Sequence, residues 1–375
     1  MADHDPKPRP FLLERYFARF EFTARFLLAS SDCEALSLAE LLDLADDADR
    51  AAWAGLRLGY TESPGLLDLR QRIAASYPGL GPDDVVTAAP EEALYLLGRA
   101  ALRSGDRVIV TFPGYQSLYE IASAVGARVE RWTPEERENG WWFDPGRLEA
   151  LARGGARAIV VNFPHNPTGA LPDAEEWSAV VAAAERAGAI LVSDEMYRGL
   201  EYDPLARLTP GALATVRGVS VGGLSKAYGL PGLRTGWLAT RDRALLEAVQ
   251  AYKDYTTICA SAPGERLAVV ALKNAERLRE RCRAIVAANR PVLEAFLGRE
   301  PETFAWRPPR AGPIAFVRLR PGAASSLCER LAEAAGVMLV PGRVFEWGEN
   351  HVRFGFGRVN FPEALAALEE HLRSS

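Results

Sequence analysis

Lys226 stands in the run Gly222-Gly223-Leu224-Ser225-Lys226-Ala227-Tyr228-Gly229-Leu230-Pro231-Gly232-Leu233-Arg234-Thr235-Gly236-Trp237, a glycine-rich and largely uncharged stretch with no obvious carboxylate partner. It is one of four lysines, with Lys7, Lys253 and Lys273, among 44 basic residues. Arginine keeps its proton in a protein, whereas a desolvated lysine can release it, and only the free amine attacks a carbonyl to form a Schiff base. A chain that otherwise draws positive charge from arginine has kept an amine here, which points to covalent amine chemistry. The alternative is a surface lysine in a loop. Two further runs carry reactive types: Asn162-Phe163-Pro164-His165-Asn166-Pro167-Thr168-Gly169 and Ser193-Asp194-Glu195-Met196-Tyr197. Taken alone, Asp194 reads equally as a partner for a cation or as a turn or helix-cap aspartate, and Tyr197 as a core side chain.

The elements around these runs decide between such readings. From about residue 84, short β-branched runs alternate with alanine-rich helical segments: Arg107 to Thr111 then Tyr115 to Val125, Ala156 to Asn162 then Asp173 to Ala187, Ala189 to Ser193, and Gly218 to Val221. That alternation predicts a mostly parallel sheet with helices on both faces, an α/β fold. Upstream, Phe11 to Phe26 has helix-like spacing and reads as a docking arm rather than core, while Ser37 to Arg50 and Gly65 to Tyr77 read as amphipathic helices, Ser37 capping the first with Glu40. Downstream come a long helical stretch from Gly264 to Leu297, strands near Ile314 to Leu319 and Val337 to Val340, and closing helices, together a smaller α+β unit. The expected division is an arm with part of the small domain at 1–44, a large domain at 45–274 and a small carboxyl-terminal domain at 275–375.

Three of the apolar runs end in Asn162, in Asp194 and just before Lys226. Ligands bind outside the carboxyl ends of the strands in open α/β sheets, so an amide, a carboxylate and an amine converge on one crevice. An imine-forming lysine, a neighbouring aspartate and a tyrosine are what pyridoxal phosphate chemistry needs: a covalent hold, a carboxylate that keeps the ring nitrogen protonated, and a hydrogen bond to the ring hydroxyl.

The three runs, in this order, resemble the fold type I, class I/II pyridoxal-phosphate-dependent aminotransferases over nearly the whole chain. The resemblance implies that Lys226 is the Schiff-base lysine and proton carrier, that Asp194 pairs with the pyridinium nitrogen, and that Asn166 and Tyr197 hydrogen-bond the ring oxygen. It also implies that Arg234, with Ser225 beside it, binds the cofactor phosphate, and that Tyr115 stacks on the ring. Arg353, in His351-Val352-Arg353-Phe354-Gly355-Phe356, matches the arginine that grips a substrate α-carboxylate, with Arg358 as a competitor, and Ser30 lies near the substrate-facing amino-terminal loop. Tyr60, in Gly59-Tyr60-Thr61-Glu62-Ser63-Pro64-Gly65, resembles the tyrosine that reaches the phosphate of the other subunit, which implies a homodimer with shared active sites. The sequence departs from the pattern at the phosphate turn: Ala89-Pro90-Glu91 replaces a glycine-and-hydroxyl turn, Pro90 lacks an amide hydrogen, and Gly223 stands where a phosphate-binding serine is frequent. Pro90 and Glu91 remain the residues expected at the cofactor. The segments Phe11 to Phe17 and Asp254 to Ala260 are similar to a subgroup that includes capreomycidine synthase, some of whose members perform elimination and cyclisation on arginine-derived substrates.

The composition excludes several other classes. The net charge of −5, with acids and bases interspersed, offers no basic patch for nucleic acid or an anionic membrane. Cys33, Cys259, Cys282 and Cys328 lie far apart, and the four histidines lack ligand spacing, so neither disulfides nor a metal site is expected and a cytoplasmic location is. Three functions follow: an aminotransferase acting on an α-amino acid and a 2-oxo acid, a lyase or cyclase using the same cofactor, and a non-catalytic paralogue that keeps the fold.

Overall fold

A computed structural model describes residues 7–320 and 322–374. Seven strands form the main sheet: β1 (Val85–Ala88), β2 (Arg107–Thr111), β3 (Arg128–Trp132), β4 (Ala158–Asn162), β5 (Ile190–Asp194), β6 (Gly218–Gly223) and β7 (Gly236–Ala239). Their order across the sheet is β1-β7-β6-β5-β4-β2-β3. All pairings between β3 and β6 are parallel, and β7 alone runs antiparallel to its neighbours. In β4, Ala158 and Val160 belong to one apolar core and Ile159 and Val161 to the other, and β5 divides Ile190 and Val192 from Leu191 in the same way. Burial on both faces is why these strands read as continuous apolar runs.

A second, antiparallel sheet consists of β8 (Phe304–Ala305), β9 (Ile314–Leu319), β10 (Val340–Pro341) and β11 (His351–Gly355), ordered β8-β9-β11-β10. Val337–Met338 leaves this sheet and pairs in parallel with Phe26–Leu27, so the single strand expected at 337–340 is two short pieces. The amino-terminal segment continues along β11: Gly355 N–H donates to Leu28 O at 2.6 Å, and a Cβ at Gly355 would fall 1.9 Å from Ser30 O. Only glycine admits that approach, which seats Ser30 against β11 and leaves Ser31 and Asp32 on the wall of the cavity described next.

Local sequence explains where helices differ from expectation. The stretch from 264 to 297 is two helices, Ala262–Lys273 and Ala275–Arg299, because the Asn274 side chain donates to Val270 O at 2.9 Å and Leu44 O at 3.2 Å, and so caps the first. Ser37 and Glu40 form the expected capping box, but that helix stops at Asp43, and Asp46 caps a new one, Asp47–Ala54. Helix α1 (Leu12–Phe20) is core as well as arm: Leu13, Tyr16 and Phe20 are buried, and Tyr16 donates to Leu339 O at 2.9 Å. The remaining face of α1 covers the site described next.

Candidate active site

β4, β5 and β6 are parallel neighbours, so their carboxyl ends share one edge of the sheet. There a cavity of about 420 Å³ opens, and Asn162, Asp194 and the turn that follows β6 contribute to its wall. Pro90, Glu91, Tyr115, Asn166, Asp194, Tyr197, Ser225, Lys226, Arg234 and Arg353 all line it. Two of the residues singled out from the sequence do not. Tyr60 is 90% exposed and away from this wall. Ser30, pressed against Gly355, is buried behind it with its hydroxyl 3.3 Å from Arg358 Nη2, while Ser31 and Asp32 take the wall.

The lysine is half-buried, and its Nζ donates to Ser31 Oγ at 3.0 Å. Desolvation pulls its pKa below the ordinary value; the cations Arg353 and Arg234 act the same way, against Asp32 and Glu14. Loss of solvent also raises Asp194, to about 7, although Met196 N–H donates to its Oδ1 at 3.2 Å. Both groups therefore sit where their charged forms lack solvation. Arg353 has no exposed surface; its Nη1 donates to Asn166 Oδ1 at 3.0 Å and its Nη2 to Ala29 O at 2.7 Å, leaving Nε unpartnered. Burial lowers it to about 10, which keeps it charged at neutral pH. Arg358, its competitor, is already engaged with Asp32 at 3.1 Å. An anion arriving in the cavity thus meets Arg353 with donors in hand.

The end of the cavity where the resemblance expects the phosphate carries two departures that pack together. Helix α2 (Pro90–Ala101) begins on Pro90, and a Cβ at Gly223 would lie 3.1 Å from Pro90 Cγ and 3.0 Å from Met196 Cε. The two departures noted in the sequence therefore pack together: the proline ring and the Met196 thioether crowd the space a side chain at 223 would use. Glu91, second residue of α2, accepts from Ser117 Oγ at 3.1 Å, and burial raises its carboxyl to about 7 despite the opposing field of Arg234. Arg234 holds a left-handed backbone (φ 50°), an uncommon conformation for a residue with a side chain and one that clusters at functional sites. Ser225 Oγ is buried with no partner.

These features fit pyridoxal 5'-phosphate. Among the described residues Ser225 Oγ and Arg353 Nε are buried without hydrogen-bond partners, the Tyr197 hydroxyl lies beside Ser31 without a well-formed hydrogen bond, and Asp194 forms no ion pair, Lys226 acting on it only through its field. A phosphate, a ring oxygen, a protonated ring nitrogen and a substrate carboxylate are the partners such groups would take. Among the described residues no cluster has the composition of a metal site.

Several lining residues were not anticipated. Ser31 and Asp32 carry no motif, and the close approaches of this segment to Gly355 and Gly357 and the Arg358–Asp32 ion pair hold it at the cavity. Glu14, Phe17 and Glu21 line it from α1, and their i, i+3, i+7 spacing was a signal that could have been read as a second helical face.

The chain is similar to known proteins over almost its full length. It is 35% identical to capreomycidine synthase of Streptomyces vinaceus over 370 residues, covering 96% of this chain and 92% of that protein. Among solved structures, a PLP-dependent aminotransferase from Streptococcus suis 89-1591 superposes with a TM-score of 0.89 at 30% identity, covering 98% of this chain and 97% of that one. The PLP-dependent cyclase OrfR superposes with a TM-score of 0.90 at 30% identity, covering both chains completely. The family described as aminotransferase class I and II matches residues 26–369, and with the lysine, aspartate and arginine of its chemistry gathered in one cavity, this chain belongs to that family of pyridoxal-phosphate-dependent enzymes.

Proposed function

We propose that this chain moves the amino group of an α-amino acid to a 2-oxo acid, with Lys226 holding the cofactor covalently through Nζ. The observation that carries this reading is the solvent-poor amine of Lys226 facing the same cavity as Asp194, Tyr197, Asn166 and Arg353. Bound pyridoxal phosphate supplies an electron sink that acidifies the α-hydrogen of an attached amino acid. Lys226, once its Nζ is free and with its pKa lowered, would take that proton from the α-carbon and deliver it to the cofactor side of the C–N bond, while Ser31 Oγ would restrain its swing. Asp194 would face the ring nitrogen, whose proton provides the positive charge this buried carboxylate needs. Asn166 accepts from Arg353 through Oδ1, so its NH2 end remains to donate to the ring oxygen together with Tyr197. Arg353, fixed at Nη1 and Nη2, orients the substrate α-carboxylate. Tyr115 would stack on the ring, its hydroxyl tied to Glu14 at 3.1 Å.

Ser225 Oγ, Arg234 and the free first-turn amide of Glu91 would hold the phosphate, since the α2 ladder starts only with Ala93 N–H on Ala89 O. The Glu91 carboxyl gives this hold an unusual pH dependence. Below pH 7 it is protonated and donates; above, it is an anion beside the phosphate. The ratio of cofactor dissociation constants, wild type over Glu91→Gln, is expected to rise about tenfold as pH goes from 6 to 8.5. Fluorescence titration of apoprotein with pyridoxal phosphate measures it, and a ratio that stays flat would remove Glu91 from the phosphate.

A homodimer suits the exposed residues. Tyr60 and Leu58 stand 90% and 83% exposed, on a segment hydrogen-bonded to the one that bears Tyr255 and Ile258, 92% and 51% exposed. Large apolar side chains concentrated in this way fit a face covered by a second copy, from which Tyr60 would reach the partner's phosphate. A monomer by sedimentation at micromolar concentration would contradict this. A cytoplasmic location fits the four free cysteines, and among the described residues no helix is long and apolar enough to cross a membrane.

Capreomycidine synthase and the cyclase OrfR among the relatives favour a second reading, a lyase or cyclase built on the same residues. The readings part on stoichiometry. Holoenzyme given an amino acid without acceptor should yield one equivalent of 2-oxo acid and stop, and resume when a 2-oxo acid is added. Continued turnover without acceptor, giving ammonia or a cyclic product by mass, selects the second reading. A degenerate paralogue fits poorly with so complete a set of cofactor-directed groups in one cavity.

A further inference from the structure

Arg353 makes its two hydrogen bonds away from its own sheet. It stands on β11, but its partners are Asn166, in the loop after β4, and Ala29, in the amino-terminal segment. The guanidinium therefore meets the cavity correctly only when the second sheet is seated correctly against the main one. A hairpin reaches from one to the other. Its strands, Glu135–Arg137 and Gly140–Trp142, lie in the chain between β3 and the helix Pro145–Ala152 and belong to neither sheet. Trp141 Nε1 donates to Phe316 O of β9 at 3.3 Å, and a Cβ at Gly140 would fall 2.9 Å from Pro308 O, so the hairpin lies close against the second sheet.

Glu136 is the charged point of that contact. Its carboxylate accepts from His351 Nε2 of β11 at 3.0 Å and from Arg318 Nε of β9 at 3.2 Å, with Arg307 Nε at 3.9 Å. Burial by itself would raise this carboxyl, but the hydrogen bonds from His351 and Arg318 outweigh it and hold the pKa at about 2, so the anion persists at neutral pH. His351 precedes Arg353 by two positions, which puts both side chains on one face of the strand. The His351 ring stacks on Phe316 at 4.8 Å, Phe316 meets Phe345 edge-on at 5.8 Å, and the Arg353 guanidinium lies over Phe345 at 5.2 Å. All four side chains are buried. A close-packed column of this kind transmits a displacement rather than absorbing it. Neither Glu136 nor His351 lines the cavity.

We propose that Glu136 is a positioning residue which, through His351 and the rings behind it, sets where Arg353 presents its guanidinium to the α-carboxylate of a substrate. This rests on the reading that Arg353 docks that carboxylate. Without the charge at 136, His351 and Arg318 lose their shared acceptor, and β9 and β11 are free to move together and carry Arg353 off Asn166 and Ala29. The cofactor-directed groups stay in place, because Lys226, Asp194 and Tyr197 follow strands of the main sheet. The rival reading gives the cluster a share in stability and none in binding.

The test titrates holoenzyme, acceptor omitted, with two probes, taking half-saturation from the change in cofactor absorbance. One is whichever of the twenty standard amino acids shifts the wild-type band at the lowest concentration, and the other is the amine left when its carboxylate is removed. In E136A the amino acid should bind about tenfold more weakly and the amine within about twofold of wild type, with E136Q, which keeps one acceptor oxygen, in between. Amide exchange should quicken across His351–Gly355 and not across Ile190–Asp194. Equal weakening of both probes overturns the proposal, as does unchanged binding of the amino acid with a lowered melting temperature, which assigns the cluster to stability alone. If E136A does not fold, the same two ratios in E136Q decide. Failure of the reading beneath looks different: R353M should bring the two probes to nearly equal affinity, and an R353M enzyme that keeps the wild-type ratio refutes the docking role of Arg353, with which the proposal falls whatever the Glu136 variants do.

Discussion

Replacing Lys226 by alanine lowers the rate of amino transfer by at least about 10³-fold and abolishes the covalent hold on the cofactor, with little change in stability. The effect is large because no other lysine lines the cavity. Lys253 is buried elsewhere with its Nζ on Ser63 O, and Lys273 is paired with Asp46 and Asp49. Arginine at 226 should rescue nothing, because a guanidinium neither forms the covalent bond nor gives up its proton. The fold tolerates the change because Lys226 makes one hydrogen bond, to Ser31, worth about 1 kcal/mol. Melting temperature and steady-state rate measured on the same preparation check both halves. A variant that retains a tenth of the wild-type rate would show that the proton is carried by another group.

Asp194→Asn acts in opposite directions on the two forms of the protein. In the cofactor-loaded enzyme it would withdraw the charge proposed to keep the ring nitrogen protonated, so the rate should fall by about 10²-fold or more and the cofactor should bind more weakly. In the apoprotein it should stabilise. The carboxyl's pKa is raised to about 7 in the folded state. The unfolded chain therefore releases this proton first as pH rises, and folded wild type loses stability from the ordinary aspartate range up through about pH 7. Asparagine has no such loss. The apo melting temperature of the variant should therefore match or trail wild type near pH 5 and exceed it near pH 8. An aspartate that served only to cap the turn at Met196 would lower stability at both pH values and leave the ratio of rates near one.

The site was readable in the sequence where its chemistry coincides with simple structure. β4, β5 and β6 are buried on both faces, so their apolar runs stand out, and the polar residues that end them had to lie at one sheet edge. The amino-terminal wall was not readable in the same way. Leu13, Tyr16 and Phe20 have the spacing of a docking face, and only the bond from Tyr16 to Leu339, far along the chain, shows that they join the core and turn Glu14 and Glu21 toward the cavity. Pro90 and Gly223 each looked like a lost phosphate contact; their mutual packing is a tertiary fact that neither residue's neighbours encode. The break at Asn274 and the split near residue 339 have the same origin, since helical periodicity continues through Asn274 and only its side-chain bonds to Leu44 and Val270 end the first helix. Tyr60 is 90% exposed on the single chain, where nothing in its own neighbours could have signalled a role.

The most direct measurement concerns the bond at Lys226 itself. Holoenzyme is reduced with borohydride, digested, and its peptides are weighed. Attachment of the reduced cofactor to the peptide bearing Lys226, and to no other, is the expected result. Attachment to Lys7, Lys253 or Lys273, or recovery of every lysine peptide unmodified from protein that had bound cofactor, would contradict the assignment.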